Sequence, residues 1–346
     1  MNKKVISIEF IRVFAIILTI MIHVSNVYIY SFGKITDLDF FVSILYNSFS
    51  RICVPLFFMV SGIFLIREEF DKKKYIGRVK KFILLLIVWS IIYYLLYNYA
   101  NIGDTLLSSI VNSLFNANMT SRHLWFMYAI IGIYLVLPFI QNMCKNMSKQ
   151  LENLFLILWI SFSGLVVVFV PLARFLTNSD IDISYPIPII NAAYYLGYFI
   201  SGYILYNRFK NIKADKRKNI ICIAIYIMST ICTAFLTYFI SKINNSVYDS
   251  FMWYRSIFII LSSFSMFVLV IINSNRIKNE NILKLSKYSF GVYLIHVIFL
   301  YIIKSNITII NYSPIIFIPI ISIVIYVGSL FSCFMLKKIP ILKNLI

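Results

Sequence analysis

Long apolar runs recur along the whole chain and constrain its fold more than any other feature. Each has roughly 17 to 24 residues, enough to cross a hydrocarbon core of about 30 Å as a helix. With 61% hydrophobic and 13% charged residues, the composition excludes an ordinary soluble domain. The sequence predicts an all-α, polytopic integral membrane protein with about ten transmembrane helices, at 8–30, 43–66, 82–99, 123–140, 154–171, 188–206, 219–240, 253–273, 289–304 and 314–336.

The basic residues are distributed unevenly between the predicted loops. If the N-terminus is cytoplasmic, 24 of the 32 Lys and Arg lie in cytoplasmic segments. This asymmetry follows the positive-inside rule, so both termini are predicted to be cytoplasmic. Topology thus explains the net charge of +19, which does not indicate a nucleic-acid partner. The loops are too short for a second domain, and we predict a single membrane-embedded domain over 1–346 with a retained first helix.

Several common kinds of site lack support in the sequence. The five cysteines form no C-x-x-C pair and, with three histidines in the chain, predict neither a disulfide framework nor a metal site. No G-x-x-x-x-G-K-[ST], G-x-G-x-x-G or G-x-S-x-G pattern is present. Nucleotide hydrolysis, dinucleotide binding and nucleophile-elbow chemistry therefore have no local sequence signal.

The first span contains two residues that lipid-facing helices rarely carry, Arg12 and His23. Eleven helical residues place them about 20° apart around the axis and about 16.5 Å apart along it. Glu9, Asn26 and Tyr30 fall on the same face, as does Thr19. Glu9 and Arg12 are spaced to pair, which lowers the cost of burying the arginine.

This polar stripe has two interpretations. Hydrogen-bonding side chains can simply join packed helices, which is the ordinary role of a lone Thr or Asn. An arginine and a histidine in register on one span instead favour a functional cavity, because intramembrane charges are costly. Histidine can also accept a proton near neutral pH.

Further candidates lie on other predicted spans, and each has an ordinary alternative. Arg51, near the outer end of the second span, can snorkel to the interface. His123 and Trp125 open the fourth span, where aromatic residues often anchor a helix at the headgroups. On the ninth span, His296 shares a face with Ser289 and Tyr293 but can be a packing residue. Arg255 is expected at the outer lip of the eighth span.

Four patterns together resemble the membrane acyltransferase-3 family, bacterial proteins that O-acylate cell-surface carbohydrate. In the first span, Glu9 and Arg12 precede His23 as acidic-x-x-Arg, ten residues and His. The other three are R-x-x-x-P-x-F-F-x-x-S-G from Arg51, H-L-W-F from His123, and S-x-G-x-Y-L-x-H ending at His296. Glu9 stands where the family more often has Asp. No fused SGNH domain is expected.

The resemblance implies a membrane-bound O-acyltransferase of the bacterial cytoplasmic membrane. The donor would be acetyl-CoA or another acyl-CoA as cosubstrate, with no bound cofactor. The acceptor would be a saccharide hydroxyl of capsule, O-antigen, peptidoglycan or another surface glycan. His23 and Arg12 are the predicted catalytic residues. His23 would act as general base. Arg12, together with Arg51, would orient the donor or acceptor or stabilise developing negative charge. Glu9, Asn26, Arg51, His123, Trp125 and His296 are the predicted substrate-binding residues.

Two other functional classes stay open from the sequence. A transporter of polysaccharide or lipid-linked sugar would use the polar stripe as a translocation path, although no internal repeat is evident. A membrane sensor or assembly subunit would keep the fold without the chemistry. Within the enzyme interpretation, a covalent acyl-enzyme on Ser61 or Ser289 is also open.

Overall fold

The apolar runs fold into long helices, as predicted. The computed structural model describes residues 3–98, 122–165 and 188–339. Within these ranges there is no strand, and eight helices or joined helix pairs are long and apolar enough to cross a membrane. They are Val5–Ile29, Asp37–Arg67, Lys72–Tyr97, Arg122–Lys145, Lys216–Ile243, Ser250–Ile272, Ser289–Asn306 and Pro314–Leu336. The all-α, multi-pass class is confirmed, while the count of ten and the side of the termini stay predictions.

Twelve α-helices are resolved within the described ranges. In chain order they are α1 Lys3–Ile29, α2 Asp37–Ser50, α3 Cys53–Arg67, α4 Lys72–Asn98, α5 Trp125–Lys145, α6 Lys149–Trp159, α7 Pro188–Phe209, α8 Lys216–Ile243, α9 Ile257–Ile272, α10 Asn281–Ser286, α11 Ser289–Asn306 and α12 Pro314–Leu336. A π-helical stretch, Ile160–Leu165, continues α6. Short 3-10 helices occur at Arg122–Leu124, Ser250–Met252 and Ile309–Asn311.

The second span differs from the single helix predicted over 43–66. It begins earlier, at Asp37, and is divided into α2 and α3 by a turn at Arg51 and Ile52. Pro55 explains the break, because proline has no N–H to donate to the carbonyl of Arg51 and its ring crowds that carbonyl. A proline within a membrane span predicts a loosened backbone, and here the loosening is a helix end at Arg51.

The contacts divide the chain into two compact units. The first comprises residues 1–64 and 147–333, and the second comprises residues 65–146 and 334–346. In the second unit, Phe82 packs against Tyr134 with ring centroids 5.0 Å apart, and Gln141 donates to the carbonyl of Leu65 at 2.7 Å. The prediction of one domain is not tested by this division.

Connecting segments of the first unit meet at the end where α1 terminates. Tyr28 donates its hydroxyl to the carbonyls of Ile309 and Tyr312, both at 2.9 Å. Lys242, in the last turn of α8, pairs with Asp37 at 2.8 Å. The segments after α1, α8 and α11 therefore lie together. All three belong to the loops predicted to face outward.

The first unit has a different set of contacts at its other end. Arg208, in the last turn of α7, pairs with Glu152 in the first turn of α6 at 2.7 Å. Asn273, after α9, donates to Asn219 near the start of α8 at 2.8 Å. These segments are among the basic ones predicted to be cytoplasmic. The helices thus alternate in direction, as the topology requires.

Close helix crossings position α3 beside α7. A Cβ atom added to Gly62 would overlap the backbone carbonyl of Phe199, and one added to Gly202 would overlap the backbone of Met59. Small residues permit such backbone contact between membrane helices. Gly62 is therefore a packing residue, which is a common role of glycine between membrane helices.

Candidate active site

Helix α1 forms one wall of the candidate site. It is unbroken from Lys3 to Ile29, so Arg12 and His23 lie on one helix face, as the spacing predicted. Ala15, Ile16 and Val24 of the same helix are completely buried. Arg12 and His23 keep partial exposure. Protein encloses much of α1, and these two polar side chains are partly accessible.

The inner part of this face contains a paired arginine. Arg12 Nη1 donates to both carboxylate oxygens of Glu9, at 3.0 and 3.1 Å. Its guanidinium carbon lies 4.9 Å from the ring centroid of Phe64. The predicted Glu9–Arg12 pair is therefore present, and the ring adds a cation–π contact. Together these contacts hold the guanidinium in place beside the N-terminal half of α1.

Farther along the same face, two histidines meet. The ring centroids of His23 and His296 are 5.1 Å apart. His296 is fully buried on α11, and its Nδ1 lies 2.7 Å from the Tyr293 carbonyl. Since a carbonyl accepts, Nδ1 carries the proton, and Nε2 holds the lone pair of the neutral ring. Two positively charged rings this close would repel each other.

A hydrogen-bonded network from α2 completes the outer part of the site. Asn47 is buried and donates to Asn26 and to Ser25, both at 2.8 Å, and its own oxygen accepts from Arg51 Nε at 2.7 Å. Arg51 lies within electrostatic range of His23. Asn47 thus fixes Asn26 and Arg51 with one amide group, using its donor and acceptor sides separately.

Tyrosines surround the cationic and imidazole groups. The Arg51 guanidinium carbon is 5.7 Å from the centroid of Tyr254, which lies just before α9. Tyr293 packs near His296 with ring centroids 6.1 Å apart, and Tyr195 of α7 lies 6.5 Å from Tyr254. Residues of α1, α2, α7 and α11, and of the segment just before α9, therefore form one connected set of contacts that includes His23.

Comparison with known proteins identifies the family of this chain. The family model for the acyltransferase-3 family, described as an acyltransferase domain, matches residues 5–334. The chain belongs to the acyltransferase-3 family. This membership supports membrane acyl transfer in general and favours an enzyme over the transporter and sensor alternatives. No curated protein and no solved structure matched the chain.

The remaining predicted residues of this acyltransferase lie in different places. His123 is buried and contacts Tyr93 edge-on, with ring centroids 4.8 Å apart, and Trp125 begins α5. Both belong to the second unit, so their approach to His23 stays a prediction. Thr19 donates to the Ala15 carbonyl within α1 at 2.9 Å, which gives it an ordinary structural role.

Two residues near the site were not among the predicted site residues. They are Asn47 and Tyr254, although Asn47 stands four residues before Arg51 and this helical spacing was a usable signal. Arg255 was expected at the outer lip of its span. It lies in the segment just before α9, where it is 8% exposed and its guanidinium carbon is 4.5 Å from the ring centroid of Trp253. The aromatic neighbour provides the cation with a partner inside the protein.

Within residues 3–98, 122–165 and 188–339, no group of three His, Cys, Asp or Glu side chains converges as metal ligands. The five cysteines are free thiols, and Cys53, Cys144 and Cys333 are buried. The site is best described by imidazole, guanidinium, amide and phenol groups.

Proposed function

We propose that this acyltransferase transfers an acyl group, which we infer to be acetyl, from acyl-CoA to a hydroxyl of a cell-surface or lipid-linked saccharide. The single observation that carries the proposal is the His23–His296 pair within the membrane-spanning helices, within electrostatic range of Arg51. A base within range of a cation matches the needs of acyl transfer, in which a hydroxyl loses a proton while a carbonyl oxygen gains negative charge.

In the proposed reaction, His23 accepts the proton of the acceptor hydroxyl as its oxygen attacks the thioester carbonyl carbon. A carbon–oxygen bond forms and negative charge develops on the carbonyl oxygen. Collapse of this intermediate breaks the carbon–sulfur bond, and the departing CoA sulfur takes the proton from His23. The products are an O-acyl saccharide and CoA with a free thiol, so atoms and charges balance.

Two neighbouring groups assist in this scheme. Arg51 is directed by Asn47 and stabilises the charge on the carbonyl oxygen. His296 donates its Nδ1–H to the Tyr293 carbonyl, which orients the ring against His23. Arg12, held by Glu9, orients the donor arm about 16.5 Å before His23 along α1. The donor would enter from the cytoplasmic side and the acceptor from outside.

The decisive experiment uses the protein reconstituted in lipid nanodiscs, with labelled acetyl-CoA as donor. The acceptor is surface glycan isolated from a bacterium whose proteins have an amino-acid composition similar to that of this chain. We expect His23→Gln to lower labelled ester formation by about 10²- to 10⁴-fold, the usual contribution of general acid–base catalysis. Ester is measured on the isolated glycan, and CoA release is followed with a thiol reagent.

The matched control is Thr233→Val on α8, another buried polar side chain, whose hydroxyl bonds within its own helix. It should keep transfer within about twofold of wild type. A folded His23→Gln protein with full transfer would rule out His23 as the base. Label recovered on His23, Ser61 or Ser289 after donor alone would replace direct transfer with an acyl-enzyme route.

A further inference from the structure

Three side chains form a cluster at the outward-predicted end of the first unit. The Asp249 carboxylate accepts from Trp253 Nε1 at 3.0 Å and from the Tyr30 hydroxyl at 3.2 Å. Tyr30 is 57% exposed and Trp253 is 36% exposed. The 3-10 helix Ser250–Met252 separates Asp249 from Trp253 by one turn, which brings their side chains to the same side. We call these three residues the outer platform.

The outer platform is held more firmly than a lipid anchor requires. Arg255 is almost buried, and its guanidinium carbon lies 4.5 Å from the ring centroid of Trp253. The indole is thus fixed by a carboxylate at its nitrogen and a cation at its face. Aromatic residues at a membrane interface need neither contact to remain there. A rigid, accessible aromatic surface loses little entropy when a ligand binds to it.

Its position links the outer platform to the candidate active site. Tyr254 stands between Trp253 and Arg255 in the chain, and its ring contacts Arg51. Tyr30 follows α1 by one residue and lies seven residues after His23, about 10.5 Å of helical rise farther out. A ligand that spans this distance would contact the outer platform while one of its hydroxyls lies near His23.

We propose that Tyr30, Asp249 and Trp253 form an acceptor subsite for a saccharide unit that neighbours the acylated one. This rests on the proposed function. A pyranose ring has an apolar C–H face, which stacks on indole and phenol rings, and hydroxyl donors at its edge. Each Asp249 oxygen accepts one protein hydrogen bond and retains a second lone pair for such a donor.

The charge of Asp249 predicts the class of sugar. A carboxylate at the accessible edge repels uronic acids and phosphorylated sugars, and it attracts hydroxyl or amino groups. The subsite therefore selects a neutral or amino-bearing pyranose. This is a narrower statement than the proposed saccharide acceptor, and it concerns the residue beside the reacting hydroxyl.

Binding is measured separately from transfer, with the His23→Gln protein in nanodiscs. The probes are tetrasaccharides of glucose, galactose and N-acetylglucosamine, and a galacturonate tetrasaccharide, followed by calorimetry. We expect a neutral tetrasaccharide to bind, and adding Trp253→Ala to weaken it about 10-fold, as for a buried aromatic anchor. Asp249→Asn should bring galacturonate within about 3-fold of the best neutral probe.

The matched control is Tyr312→Ala, because Tyr312 is also an exposed aromatic residue at this end of the first unit. It should leave binding unchanged. In the protein with native His23, Trp253→Ala should raise the acceptor KM about 10-fold and leave the acyl-CoA KM unchanged. Trp253→Phe preserves the aromatic face and should recover part of the affinity.

Several results would overturn the subsite. The first is that no neutral tetrasaccharide binds. The second is that Trp253→Ala and Tyr312→Ala weaken tetrasaccharide binding equally. The third is that the protein with an unaltered outer platform binds galacturonate in preference to the neutral probes. Equal losses would identify Trp253 as a lipid anchor. If His23→Gln transfers normally while Trp253→Ala loses binding, the base assignment fails and the subsite stands.

Discussion

Arg12 lies on the polar face of α1 and Arg51 lies at the end of α2, and their surroundings differ in charge. Arg12 is paired with the Glu9 carboxylate at 3.0 Å. Among the described residues, Arg51 contacts neutral groups, the Asn47 oxygen and the Tyr254 ring. A guanidinium beside a carboxylate has most of its field cancelled, whereas one beside an amide retains it. We therefore expect Arg12 to hold and orient a substrate, and Arg51 to stabilise transition-state charge.

The aromatic contacts of the two arginines reinforce this difference. Phe64 contributes its ring face to Arg12, and Tyr254 contributes its ring face to Arg51. Ring faces attract a cation without neutralising it. The carboxylate at one end and the amide at the other are therefore what distinguish the two sites, and each can be exchanged by a nearly isosteric substitution.

Among the substitutions that compare the two arginines, Arg51→Met should have the largest effect. Removal of a preorganised charge-stabilising donor costs about 10²- to 10³-fold in kcat, while the KM for acyl-CoA should change little. Steady-state CoA release gives both constants. Arg208→Met is the matched control, since Arg208 pairs with Glu152 at the other end of the unit, and its kcat should stay within about twofold. A similar loss in both variants would contradict a special role for Arg51.

Asn47→Asp tests the comparison directly, because it gives Arg51 a carboxylate partner like that of Arg12. We expect a decrease in kcat of about 10- to 100-fold, since the cation is neutralised although the shape of the side chain is conserved. Thermal unfolding of the nanodisc-bound protein checks that the structure is retained. Unchanged kcat in a stable Asn47→Asp protein would show that the field of Arg51 is not used.

Glu9→Gln is the reciprocal exchange at the inner end, and Arg12→Met removes the cation there. Arg12→Met should raise the acyl-CoA KM about 5- to 10-fold with a small change in kcat, as expected for loss of a charged hydrogen-bonding group that binds the donor. Glu9→Gln should act in the same direction but less. A fall in kcat without a KM change would move Arg12 into the chemical step.

The smallest effect concerns a structural ion pair that serves as a reference. Arg78 donates to both Glu68 oxygens, at 2.6 and 2.9 Å, and this hydrogen bonding holds the pKa of Glu68 below its usual range. Because the folded-state pKa is lowered, the stabilisation is present above about pH 4.3 and is lost as pH falls through the folded-state pKa.

Arg78→Met should therefore lower stability at pH 7 by about 0.5 kcal/mol, as is typical of a partly exposed pair, and leave acyl transfer unchanged. The difference from wild type should vanish in acid, which thermal melts at pH 7 and pH 3.5 would measure. If Arg12→Met behaves like Arg78→Met, with a stability loss and no KM change, then the Glu9–Arg12 pair is structural too.

Much of the scaffold was predictable from the sequence because its signals are local. The length of each apolar run sets a membrane helix, and the helical period places Glu9, Arg12 and His23 on one face. Pro55 indicated a weakened backbone for a similar reason, since its effect reaches one turn back along the chain. The exact position of the break and its consequence for Arg51 required the structure.

The sequence by itself determined the all-α class, the polar face of α1 and the acyltransferase-3 patterns, all of which are properties of continuous segments. Tertiary structure decided which distant residues meet. His296 approaches His23, Asn47 joins α1 to Arg51, and Asp249 joins Tyr30 to Trp253 because separate helices and loops pack together. Helical periodicity specifies a direction around one axis, but it contains no information about the neighbour that a side chain will face.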